Sequence, residues 1–350
     1  MKSDGTKLTS SDDVSTTNGW LNSLFSNLEI SINGVLIPSK NNYSYLAYLL
    51  SHLTYSADLK KSELQSTNYF IDDDPADLSE TNKSFQSRAK TVLASKEAEL
   101  YGPLFHDLFL QDRAILPGLD IKISLQRTKP EFNLLTTTKD LRLKLIIDEC
   151  SLHVKLLTVR SDVLSLHSAL LAKGQTAKYP HIYNIVKTFA IPSSTQNIIN
   201  ETLFSQTNIP HRIVLGFVTS ASYLGSLETN PFNFGKHGLT SITVTADSDL
   251  TGSNTLSLNF TAHKYMQAYA SLLDGLNVNF SKSLGITPNA FVSGNAFYCF
   301  QLSPFDCVSG VRIHVNFEKA LTESLTCIVL AQSHATLLID KDNNIELKSE

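Results

Sequence analysis

The sequence predicts an all-β protein of the sandwich or barrel kind, built as two β units of similar size. Two observations carry this reading. Short runs rich in Val, Ile, Phe and Thr recur along the chain, several with period-two alternation, and clusters of Gly, Pro, Asn and Asp separate them. At 350 residues the chain also exceeds the usual size of one domain, with 42% apolar residues for a sizeable core and a low 18% charged.

Residues 1–18 are polar and small, and read as a disordered lead-in with too little apolar surface to offset ordering entropy. Structure is expected from Gly19-Trp20. Leu28 to Ile32 alternates, and Asn33-Gly34 supplies the two positive-φ residues of a tight hairpin before Val35 to Pro38. Tyr45, Leu46, Leu49, Leu50 and Leu53 recur at helical spacing, predicting a short amphipathic helix over 43–53 packed on a sheet.

The segment 72–90 reads as a solvated polar loop. Asp72-Asp73-Asp74-Pro75 offers hard oxygen ligands, but no EF-hand spacing follows, so calcium is the weaker reading. His106, Asp107, Asp112 and Arg113 read as polar partners for backbone groups in a connection, because no nucleophile is tied to them. Leu119 to Gln126 alternates strictly, with one face buried and one wet. Two further strands are expected over 141–159, with Asp148-Glu149 as the turn or bulge between them. Ser161-Asp162 can then cap a helix over 163–173 that Gly174 ends.

A second β series follows: 182–191, 213–218, 239–246, 256–260, 297–302, 311–317 and 325–339, interrupted by a helix over 263–273. Within it, Ile213 to Val218 is a nearly continuous apolar run, as expected of a strand buried on both faces. A long crossing loop follows, then the Asn230-Pro231 turn and two rings, Phe232 and Phe234. We read these rings as an anchor for the far end of the loop or as a subunit contact, together with Trp20, Asn230 and Pro231.

Chemistry is harder to find. The 10 histidines form no H-x-x-x-H pair and no H-E-x-x-H motif, and glycine phosphate loops and the G-x-S-x-G elbow are missing. No catalytic, cofactor-binding or metal residues are assigned, and no cofactor is expected. A formal charge of -4, without a Lys/Arg cluster, argues against sequence-specific nucleic-acid binding. Cys150, Cys299, Cys307 and Cys327 fit neither a metal spacing nor a dense disulfide framework, so reduced, packed thiols are expected. No signal peptide and no membrane-spanning run is visible, so the Asn-x-Ser/Thr sites at Asn42, Asn82, Asn200, Asn259 and Asn279 count as chance.

Four stretches together carry a resemblance. Pro210-His211-Arg212-Ile213-Val214-Leu215-Gly216-Phe217-Val218 with Asn230-Pro231-Phe232-Asn233-Phe234 resembles the signature of the double jelly-roll major capsid (hexon) proteins of Polinton/Maverick elements and adintovirus-like viruses. Trp20 to Ser26 with its hairpin, Gly102 to Arg113 leading into the 119–126 strand, and Val311 to Glu323 with Ile339 to Asn344 are similar to the same family, in the same order.

The resemblance implies two jelly rolls side by side with short helices in the connections. Their expected extents are 19–161 and 181–340, with a linking helix and connection over 162–180 and a tail over 341–350. In that family further strands precede the Trp20 block, so the first barrel is expected to lack its N-terminal strands. A non-enzymatic virion protein is implied: homotrimers form pseudo-hexagonal capsomers, and these tile an icosahedral shell around double-stranded DNA beside a single jelly-roll penton protein. The expected location is the virion capsid, assembled inside the host cell, from an active or relic element. Two alternatives stay open. A lectin-like jelly roll would use exposed aromatics such as Trp20 or Tyr223, and a cupin-like metalloenzyme would need two or three converging histidines.

Overall fold

The computed structural model describes residues 1–9, 12–139, 141–205, 209–245, 254–278, 283–302 and 310–349. Fourteen strands are described: β1 Val14–Thr16, β2 Phe25–Ile32, β3 Val35–Asn41, β4 Ile121–Arg127, β5 Leu134–Thr136, β6 Ala177–Ile191, β7 Asn197–Phe204, β8 Arg212–Thr219, β9 Leu239–Thr245, β10 Asn254–Ser257, β11 Tyr298–Gln301, β12 Val311–Phe317, β13 Leu325–Ile339 and β14 Ile345–Ser349.

The second half is a complete sandwich. One sheet runs β7-β12-β9-β10 and the other β6-β13-β8-β11, all antiparallel. Eight consecutive strands, β6 to β13, therefore cross between the sheets at every step but β9 to β10, the order that two Greek keys produce, which is a jelly roll. β13 is the spine. All 15 of its residues pair with β6 on one edge, while β8 and then β14 share the other.

The apolar run of β8 has two separate causes. Phe217 points into the sandwich, its ring 6.3 Å from Phe317 on the opposite sheet. Residues of the other parity face outward, where Gly216 leaves room for the Phe234 ring. The expected burial on both faces is found, with Ile213 to Val218 all buried.

The first half is smaller: among its described residues, a three-stranded sheet β3-β2-β4 and a β1-β5 pair. Asn33 and Gly34 take φ of 50° and 79°, closing the β2-β3 hairpin as predicted. The helix Tyr43–Thr54 lies where expected, but every residue from Tyr43 to Leu53 is buried. It packs between β2 of the first unit and β6 of the second, so it has no wet face to be amphipathic about.

Several expectations are corrected. The described residues of the 1–18 segment are not a loose lead-in: β1 pairs with β5, and Leu8 and Val14 join Leu24, Val92, Leu134 and Leu143 in a small core around Trp20. The polar 72–90 segment contains a helix, Lys83–Val92, whose Asn82 cap accepts from Ser84 N and Phe85 N. The 341–350 tail contains β14, paired back onto β13. Residues 144–160 carry a strand pattern yet form no strand. The helix Ser161–Ala172 follows, with no buried residue.

Candidate functional site

Two contact systems join the halves. The first is aromatic. Asn230 Oδ1 accepts from Phe232 N at 3.0 Å, folding the turn around Pro231, and Asn230 Nδ2 donates to Pro75 O at 3.0 Å. Tyr45 OH donates to Pro231 O at 3.1 Å. Phe232 then stacks on Tyr48 with ring centroids 4.0 Å apart, and meets Tyr45 and Phe132 edge-on. Phe234 packs 4.5 Å from Phe297 and is held between Gly294 and Ala296 by backbone hydrogen bonds. Phe232 and Phe234 are 1% and 0% exposed, so both rings contact this chain's own elements rather than solvent. Trp20 is buried in a separate small core and does not touch this cluster.

The second system is polar. Lys40, at the end of β3, forms a buried ion pair with Asp107 and also donates to Asn184 O, with its ammonium 4.1 Å over the Tyr183 ring. Asp107 Oδ1 accepts from Asn184 Nδ2 at 2.8 Å, and Oδ2 accepts from Asn184 N at 3.2 Å. Gln332 Nε2 donates to Asn184 Oδ1, and Arg212 Nε donates to Gln332 Oε1, both at 2.6 Å. A continuous chain thus runs from β3 through β6 and β13 to β8. Burial lowers the pKa of Lys40, and the Asp107 charge opposes that shift.

The sequence pointed to Asp107 as a partner for backbone groups, and it does bond Asn184 N. Nothing in the pattern singled out Lys40, Asn184 or Gln332, since ordinary polar residues at strand ends carry no mark of their partners. The Asp72 loop was the candidate calcium site. Asp72 instead gives Oδ2 to Arg88 at 3.1 Å and Oδ1 to Asn82 at 3.0 Å, and Asp74 and Asp77 offer carbonyls to the same Asn82 amide.

Among the described residues, no group of three or more His, Cys, Asp or Glu side chains converges as a metal site. His211 and His334 stack with centroids 4.4 Å apart, and burial beside His334 and Arg212 pushes His211 down to about 4. Burial near Lys40 pushes His106 to about 4 as well. Cys299 and Cys327 are packed thiols, with burial raising Cys299 to about 12, whereas Cys150 is exposed and Cys307 lies outside the described residues. An open cleft of about 420 Å³ separates the halves beside this network, lined among others by Tyr55, Gln111, Asp112, His181 and Gln332.

No family model matches the sequence. A Caenorhabditis elegans protein described as uncharacterized protein F54H12.2 is 26% identical over 339 residues, covering 92% of this chain and 79% of its own. Among solved structures, PBCV-1 VP54, as fitted into a reconstruction of the virophage Sputnik, superposes with a TM-score of 0.50 at 12% identity, over 97% of this chain and 91% of its own. The fold is a double jelly roll. The mavirus major capsid protein covers 98% of this chain and 81% of its own, at 13% identity and a TM-score of 0.44. No helix among the described residues is long and apolar enough to cross a membrane.

Proposed function

We propose that this double jelly roll is a major capsid protein. Three copies form a pseudo-hexagonal capsomer, and capsomers tile the icosahedral shell of a double-stranded DNA virus or virus-like transposon of the Polinton and adintovirus kind. The observation that carries the reading is the superposition on VP54 across nearly the whole chain, both halves included. The likeness to a nematode protein favours an element resident in animal genomes.

On this reading the protein works by assembly rather than catalysis, and its partners are further copies of itself and a penton protein. Asn230, Pro231, Phe232 and Phe234 serve as the anchor that fixes one jelly roll against the other, and Trp20 anchors the amino-terminal segment. The lectin alternative loses its best candidates: Trp20 is buried, and Tyr223 stacks on Tyr45 while donating to Asn42 Oδ1 at 2.9 Å.

Native mass spectrometry of the purified protein tests the proposal. A complex of three times the 38.6 kDa chain mass is expected. A monomer at every concentration, or one that binds oligosaccharides, would overturn it.

A further inference from the structure

Leu145 and Ile147 pack against the small core around Trp20 and Leu145 O accepts from Arg127, but from Asp148 to Ala172 the chain is mostly exposed, with His153 meeting Tyr101 edge-on at 5.7 Å. Ile146, Leu152, Val154, Leu156 and Leu157 are 55%, 60%, 67%, 88% and 59% exposed, and Leu166 on the following helix is 58% exposed. Among the described residues, the backbone from Ile146 to Val159 makes no hydrogen bond. Yet this is strand sequence: Cys150, Leu152, Val154 and Leu156 fall on one face, and Glu149, Ser151, His153 and Lys155 on the other. A segment with one apolar face and exposed, unpaired amides is suited to adding to a sheet edge.

The same chain carries such an edge. Among the described residues β4 pairs only with β2, leaving its outer side open. Its apolar row, Ile121, Ile123 and Leu125, is only half buried, while Lys122, Ser124 and Gln126 face solvent. A strand added there would continue the apolar row with Leu152, Val154 and Leu156 and leave both polar faces wet. It would also give the β4 amides partners.

We infer that residues 148–159 form an exchanged arm that adds as a strand to the β4 edge of a second copy, with the helix Ser161–Ala172 docking beside it. The inference rests on the capsomer reading and names the contact by which copies engage. Each copy presents both halves of the contact, an unpaired strand and an unpaired edge, so copies can join in a ring. The exposed apolar side chains of the arm and helix, Leu152, Val154, Leu156, Leu157 and Leu166, give such a contact apolar surface to bury. The charges along the arm are mixed, with Asp148 and Glu149 against Lys155 and Arg160, which does not suit an anionic membrane surface.

The test cross-links an equal mixture of unlabelled and ¹⁵N-labelled protein with a lysine-reactive reagent, and compares Leu152→Asp/Leu156→Asp protein by sedimentation. Mixed-isotope peptides joining Lys155 to Lys122, with loss of the oligomer and an unchanged melting temperature in the variant, are expected. Peptides of one isotope only would show the arm folding back onto its own β4 and overturn the inference. A variant that stays oligomeric would overturn it while leaving the capsomer reading intact, whereas a monomeric wild-type protein would defeat both.

Discussion

The Tyr48 and Phe232 rings lie parallel, with centroids 4.0 Å apart and planes within 1°. One belongs to a helix of the first unit and the other to the turn after β8 of the second, so this stack is a direct fastening between the jelly rolls. Truncating it leaves a cavity that the surrounding aromatics can fill only in part. Phe232→Ala is expected to cost about 3–5 kcal/mol in chemical denaturation, the range for buried aromatic truncation. A loss under about 1 kcal/mol would mean that the ring carries little of the fastening.

Gly216 and Phe234 constrain each other. A Cβ at Gly216 would sit 2.4 Å from Phe234 Cδ1, in a site walled by Phe297. Gly216→Ala should therefore destabilise by about 1–3 kcal/mol through overpacking. Adding Phe234→Leu should recover part of that loss, because the two sites share one space. Strictly additive melting shifts in the double variant would contradict the coupling.

The buried Lys40–Asp107 pair should show the asymmetry of buried charges. Asp107→Ala strands an ammonium beside Asn184 and is expected to cost about 3–5 kcal/mol, whereas Lys40→Met with Asp107→Leu should be close to neutral. Equilibrium unfolding of the two variants decides this. Equal losses would show that the wider network through Asn184 and Gln332 matters more than the charge on either group.

Acid should weaken the protein before its carboxylates titrate. His106 is pushed from the ordinary 6.5 to about 4 by burial and Lys40, and burial also lowers His52, His211 and His237. In this window the unfolded chain binds more protons than the folded one. The stability is fully present above about pH 6.5 and is lost as pH falls toward 4, with His106 contributing up to about 1.4 kcal/mol per pH unit. Denaturation midpoints at pH 7, 6 and 5 should fall in that order, and His106→Gln should flatten the slope.

The second jelly roll was largely legible in the sequence because its central strands are apolar on both faces or alternate cleanly, as in Ile213 to Val218 and Val311 to Phe317. β7 was not legible. It is an edge strand whose Asn197, Asn200, Glu201 and Thr202 break any apolar signal. The 141–159 stretch misled in the opposite sense, since its alternation states what the segment can pair with, and pairing depends on an edge elsewhere. Phe232 and Phe234 were marked by the proline turn, but their partners Tyr45 and Tyr48 lie nearly two hundred residues away in the chain. Lys40 carried no mark, and the contact that Lys40 and Asp107 share with Asn184 depends on how the halves dock.

The central claim, that this double jelly roll builds capsomers, is tested most directly by cryo-electron microscopy of the purified oligomer. The account predicts a three-fold particle with six jelly-roll lobes in a pseudo-hexagonal outline, two from each chain. A two-fold particle, or single chains with no three-fold order, would contradict it.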